Sequence, residues 1–211
     1  LFQNAKQAAA AALGSDMEEL AGQFWGFHET RPYMRACHGL AIAYADAGQY
    51  GDAVEQYRDM LRLNPNDNQG VRHEIVPLLL EQGRDAEASE VLDRYPEPSA
   101  QWLYSKALVE FRRGGRSAAA KKALHAAFRA NDHVLRLLQS DEPPLMPESY
   151  AFGSPEEAAI CIEDLHAVWD ETEGYMEWMF QEYFVWDRER AKRLRDQKRK
   201  TRQQGKRKGK R

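Results

Sequence analysis

"ETRPYMRACHGLAIAYADAGQYGDAVEQYRDMLRLNPND", residues 29–67, decides the fold. Leu40, Ala41 and Tyr44 precede Gly48 at helical spacing, Ala53 and Tyr57 follow it, and Pro65 ends the stretch. Apolar residues at three- and four-residue steps mark one buried face of a helix. Gly48 between two such runs reads as a turn, and small Ala41 and Ala53 let the flanking helices approach closely. The stretch is a helix hairpin.

The hairpin recurs. A shift of 35 residues brings Ile75, Val76, Leu79, Gly83, Ala88 and Leu92 into the matching places, and a further 32 brings Ala107, Leu108, Phe111, Gly115, Ala120 and Leu124. This order of residues over about 34 positions is the tetratricopeptide repeat pattern. Residues 34–133 therefore read as three hairpins that bury their faces by stacking. Pro77 lies inside the first helix of the second hairpin and predicts a kink. Residues 1–33 make an N-terminal cap: an alanine-rich helix over 2–13, stopped by Gly14, then a helix over 16–24 behind Ser15 as N-cap. Residues 134–189 hold the loop QSDEPPLMPES and capping helices near 155–169 and 173–195. The second cap opens with Ser154-Pro155-Glu156-Glu157, an N-cap, a first-turn proline and acids at the positive end of the helix. The expected fold is all-α, a right-handed solenoid of tetratricopeptide-type hairpins with helical caps at both ends and a disordered basic tail over 190–211.

Composition sets further bounds. A chain of 211 residues with 43% hydrophobic content can bury a continuous core. No stretch reaches the roughly 20 apolar residues of a membrane span, and the start, LFQNAKQAAAAALG, lacks the basic end and leucine run of a secretory signal, so a cytoplasmic protein is expected. Cys37 and Cys161 are too few and too far apart for a disulfide framework or a zinc knuckle, and both are expected to be reduced core residues. The net charge of −3 conceals a division: from Arg190 onward 13 Lys/Arg face one acid, Asp196, giving +12 there and −15 elsewhere.

"GQFWGFHETRPYMRA" (residues 22–36), "LNPNDNQGVR" (63–72) and "GSPEEA" (153–158) together resemble a mainly bacterial group of tetratricopeptide proteins described as similar to the suppression-of-tumorigenicity family. Trp25, residues 29–34 and residues 64–70 are the blocks that carry the likeness, which runs from about residue 22 to 178. The resemblance implies an all-helical repeat scaffold and no reaction.

The residues themselves offer little for catalysis. Cys37 and His38 are adjacent on a helix, so their side chains diverge by about 100°, poor geometry for a thiolate–imidazole pair. RHEIVP begins like a zinc-protease helix but has Pro77 where the second histidine belongs, and the six histidines include no i,i+4 pair. RRGGRSAAAKKA lacks the glycine before lysine of a phosphate-cradling loop. No catalytic residue, metal site or cofactor is expected.

Binding surfaces are the remaining opportunity. In hairpin geometry the first helices line a groove with Arg35, His38, Ile42 and Asp46, then His73 and Glu81, then Trp102, Arg112 and Arg113; a peptide or helix of a protein partner is the expected occupant. The Lys/Asn clamp that holds a peptide carboxylate in some chaperone-associated repeats is absent, His38 and Ile42 standing in its places. The segment YMEWMFQEYFVW is apolar almost all round a helix, so Tyr175, Trp178, Tyr183 and Trp186 are expected to cap the stack with one face and offer surplus rings to a partner or a second copy. Lys198, Arg199, Lys200, Arg202, Lys206, Arg207 and Lys208 in the tail suit RNA or DNA phosphates, or the acidic body of the chain itself.

Overall fold

The computed structural model describes residues 1–140 and 149–208, with side chains described through residue 201. The central part of the expected loop, residues 141–148, lies outside the described residues, as do the side chains of Arg202, Lys206, Arg207 and Lys208. Among the described residues there are α-helices and no strand. The chain divides into two compact units, Leu1–Glu97 and Pro98–Arg211.

The first unit opens with α1 (Phe2–Leu13) and α2 (Asp16–Glu19), followed by a 3₁₀ turn at Phe24–Gly26. Two hairpins follow: α3 (Arg31–Asp46) with α4 (Tyr50–Leu63), and α5 (Arg72–Glu81) with α6 (Asp85–Arg94). Gly48 and Gly83 sit at the turns with φ of +70° and +67°, a conformation that costs glycine nothing and a side chain about a kcal/mol. The pattern residues Ala41, Ala53, Tyr57, Ile75, Val76, Leu79, Ala88 and Leu92 are all at most 1% exposed. Burying each large one of these contributes about 1.5–3 kcal/mol. Helix α1 lies against α3, where the ring of Phe2 occupies the notch that Gly39 leaves.

One local expectation changes. The helix expected over 16–24 is only the single turn of α2, and Ser15 makes no side-chain cap bond. Gly22, at φ +90°, turns the chain so that its N–H donates to Leu63 O at 3.0 Å, closing the carboxyl end of α4 in place of further helix. Pro77 stands inside α5, which runs through it as one helix.

The second unit contains the third hairpin, α7 (Ala100–Gly114) and α8 (Ala118–Ala130), then α9 (His133–Leu137), α10 (Pro155–Glu171) and α11 (Tyr175–Lys208). Ser99, Ser117 and Ser154 cap α7, α8 and α10, each accepting from the N–H three residues on, at 3.2–3.3 Å. Helix α10 packs on α7 and α9, and α11 packs on α8 and α10. Helix α11 continues past residue 195 through Lys208. Its sequence explains the length: no proline interrupts it, the first glycine after Gly174 is Gly205, and Arg, Lys, Gln and Ala are good helix formers.

Candidate functional site

In the first unit the expected groove residues fall on α3 and α5. Arg35 and Asp46 are exposed, and Ile42 between them is 41% exposed. His38 turns inward: its ring meets Tyr57 edge-on at 6.1 Å, and its Nε2 is enclosed with no hydrogen-bond partner among the described residues. His73 Nε2 lies 3.5 Å from the Glu97 carboxylate, and Glu81 is exposed. The face is mixed in charge and has one apolar anchor.

Cys37, beside His38 in sequence, is fully buried and free, under α1. Burial pushes its thiol up, with Tyr33, Lys6 and Asp59 around it, and the neighbouring Tyr33 hydroxyl is also driven above its ordinary range by burial. A thiol held protonated in a closed core is no nucleophile. Cys161 is likewise fully buried, and burial raises its thiol well above the ordinary value. No group of three His, Cys, Asp or Glu among the described residues is placed to hold a metal ion.

In the second unit the expectation for Trp102 is corrected: it stands on α7, the helix against which α8 and α10 pack, and it is fully buried, with no surface to offer a ligand. Arg112 is spent locally, donating to Thr172 Oγ1 through Nε at 3.0 Å and through its terminal nitrogen at 2.9 Å. Arg113 is exposed and pairs with Glu110 at 2.7 Å.

The interface role expected of the aromatic segment's rings is corrected in the same way, their capping role aside. Tyr175, Trp178, Tyr183 and Trp186 are 8% exposed or less. Trp178 stacks on Phe111 at 5.0 Å, while Tyr183 and Trp186 close on Phe128 at 5.3 and 5.5 Å. Lys121 and His125 of α8 lie 2.9 and 3.4 Å from the Glu182 carboxylate. All four rings serve the core; the surface that this part of α11 leaves open is Phe184 and Val185, at 68% and 49% exposure.

Beyond Trp186 the helix has little cover. From Asp187 to Thr201 every residue is exposed except Arg190 and Ala191, and Lys198, Arg199 and Lys200 are among the exposed.

Two buried carboxylates carry more than the sequence reveals. Glu157, 4% exposed, accepts from Ala100 N at 2.8 Å, Asn131 Nδ2 at 2.9 Å and Gly153 N at 2.6 Å, tying α7, the end of α8 and the turn before α10. Asp67, also 4% exposed, accepts from Val71 N at 2.9 Å and Arg72 N at 3.1 Å and pairs with the Arg72 guanidinium at 2.9 Å. Spacing marks Glu157 as a first-turn acid of α10 but not as the hub that joins α7, α8 and α10.

No helix of the described residues is long and apolar enough to cross a membrane. No curated protein and no solved structure matches the chain. Residues 38–110 match the family model described as Tetratricopeptide repeat, a stretch that holds most of α3, all of α4 to α6 and the greater part of α7. The chain thus carries tetratricopeptide repeats in an all-α fold, of a kind that generally mediates binding between proteins.

Proposed function

We propose that the protein is a non-enzymatic adaptor that holds a peptide or helix of a protein partner on the α3 and α5 face of its first unit. Ile42 carries this reading. Between residues 31 and 94 it is the exposed large apolar side chain, and it shares a helical stripe with Arg35, seven positions before it, and Asp46, four after. An apolar anchor flanked by opposite charges gives a bound segment both burial and register. The resemblance to the mainly bacterial group similar to the suppression-of-tumorigenicity family adds a scaffold role and no chemistry. A cytoplasmic setting suits two free, buried thiols. The test is peptide display against the full chain, with selected peptides measured again on Ile42→Asp and Arg35→Glu. Binding weakened tenfold or more by either change supports the face; selected peptides that ignore both changes rule it out.

A second reading rests on α11. Arg188, Arg190, Lys192, Arg193, Arg195, Lys198, Arg199 and Lys200 crowd the part of α11 beyond Trp186, which has little cover, and such density neutralises nucleic-acid phosphates without reading bases. Full-length chain with Lys198, Arg199 and Lys200 changed to Gln is expected to bind RNA or DNA more weakly and with a shallower salt dependence. Equal binding at every salt concentration excludes this role. Self-association through α11 has Phe184, Val185 and Leu194 to use, Tyr175, Trp178, Tyr183 and Trp186 being buried.

A further inference from the structure

Where the basic helix leaves the packed part of the second unit, the end of α8, the start of α9 and the middle of α11 enclose a cleft of about 520 Å³. That size falls within the usual range for small-ligand sites. Its walls carry Arg129, His133, Arg190 and Arg193, and Asp132 is the one acid among the described lining residues.

The acid is already matched. Asp132 accepts from Arg136 at 2.5 Å and from Arg190 at 2.6 Å, so one carboxylate faces two guanidiniums. Arg190 also lies over the Trp186 ring, 5.1 Å from its centroid, which fixes the plane of its donors. Arg129 is exposed and has no hydrogen bond or ion pair among the described residues. Arg193 reaches the carboxylate of Glu189 only at 3.8 Å, with both side chains mostly in solvent, a pairing of little strength. The exposed Glu156 carboxylate also feels His133. The cleft keeps a net positive charge and several donors with no strong partner.

We infer that this cleft is a phosphate-binding site, filled by the backbone of a nucleic acid that continues along α11. The inference rests on the second reading above. Guanidinium groups match phosphate oxygens with paired donors, and a pre-oriented Arg190 loses little freedom on binding. A small anion engages the cleft alone. A polymer engages the cleft and then the run from Arg195 to Lys200, about 7.5 Å further along the helix at 1.5 Å per residue, so continuity with that run favours the polymer.

The experiment uses full-length chain in three forms: unchanged, Arg129→Gln with Arg193→Gln in the cleft, and Lys198→Gln with Lys200→Gln outside it. Calorimetry with inorganic pyrophosphate is expected to give saturable binding that falls tenfold or more in the cleft variant and stays within twofold in the other. A fluorescent single-stranded RNA is expected to lose affinity in both variants, the cleft variant reducing the salt slope by about one to two. Pyrophosphate binding that is absent, or equal in all three forms, overturns the site. Pyrophosphate binding confined to the cleft with no RNA binding by the unchanged chain keeps the phosphate site, overturns its nucleic-acid occupant, and removes the second reading of α11 with it.

Discussion

Glu157 shows how much one side chain can hold together. Its carboxylate satisfies the Ala100 and Gly153 N–H groups and the Asn131 amide inside the protein, and removing it strands three donors. Each buried unsatisfied donor costs about 1–3 kcal/mol, so Glu157→Ala is expected to lower stability by about 3 kcal/mol or more, measured by urea denaturation. A loss under about 1 kcal/mol means that water replaces the carboxylate freely. The two cysteines give a second residue-level test. Both thiols are buried and held above their ordinary range, so neither is expected to react with a thiol reagent at pH 8 until the chain unfolds. The sign of the pH effect follows. Below the ordinary thiol range both states keep these protons, while above it the unfolded chain releases protons that the folded chain retains, so stability falls as pH rises beyond about 9. Tyr33, Tyr104 and Tyr175, raised chiefly by burial, add to that fall above the tyrosine range. Stability that stays level from pH 8 to 11 contradicts this account of the core.

At the scale of the element, α5 and α11 each defy a simple rule. Helix α5 includes Pro77, which has no N–H to donate to the carbonyl of His73, yet the helix is unbroken. Packing of Ile75, Val76, Leu79 and Leu80, all buried, outweighs the local penalty. Pro77→Ala is therefore expected to raise the thermal midpoint, with a gain of about 1–3 kcal/mol. A lower midpoint implies that the half-buried pyrrolidine ring contributes more by packing than it costs in hydrogen bonding. Helix α11 was legible only in part. Its aromatic run announces burial, but an all-round apolar pattern does not say which rings go inward; burial of Tyr175, Trp178, Tyr183 and Trp186 depends on Phe111 and Phe128 standing opposite, far away in sequence.

Across the whole molecule, the repeat was legible because its information is local: small residues at close approaches, glycines at turns and apolar faces at helical spacing. The division after Glu97 was not, because the same period runs across it and only Pro96 and Pro98 mark the place. The groove was half legible for a related reason. Spacing identifies which residues share a helix face, so Arg35, Ile42 and Asp46 emerge as surface, but it cannot foresee that Trp102 is fully buried on an α7 packed by α8 and α10, or that Thr172 takes the donors of Arg112. The described surface thus includes a mixed face on the first unit and a strongly basic helix on the second. Nuclear magnetic resonance mapping of a display-selected peptide onto the isotope-labelled full chain separates these surfaces. Shifts concentrated on α3 and α5 around Ile42 are expected; shifts confined to α11, or absent from α3, contradict a protein-binding role for the repeat face.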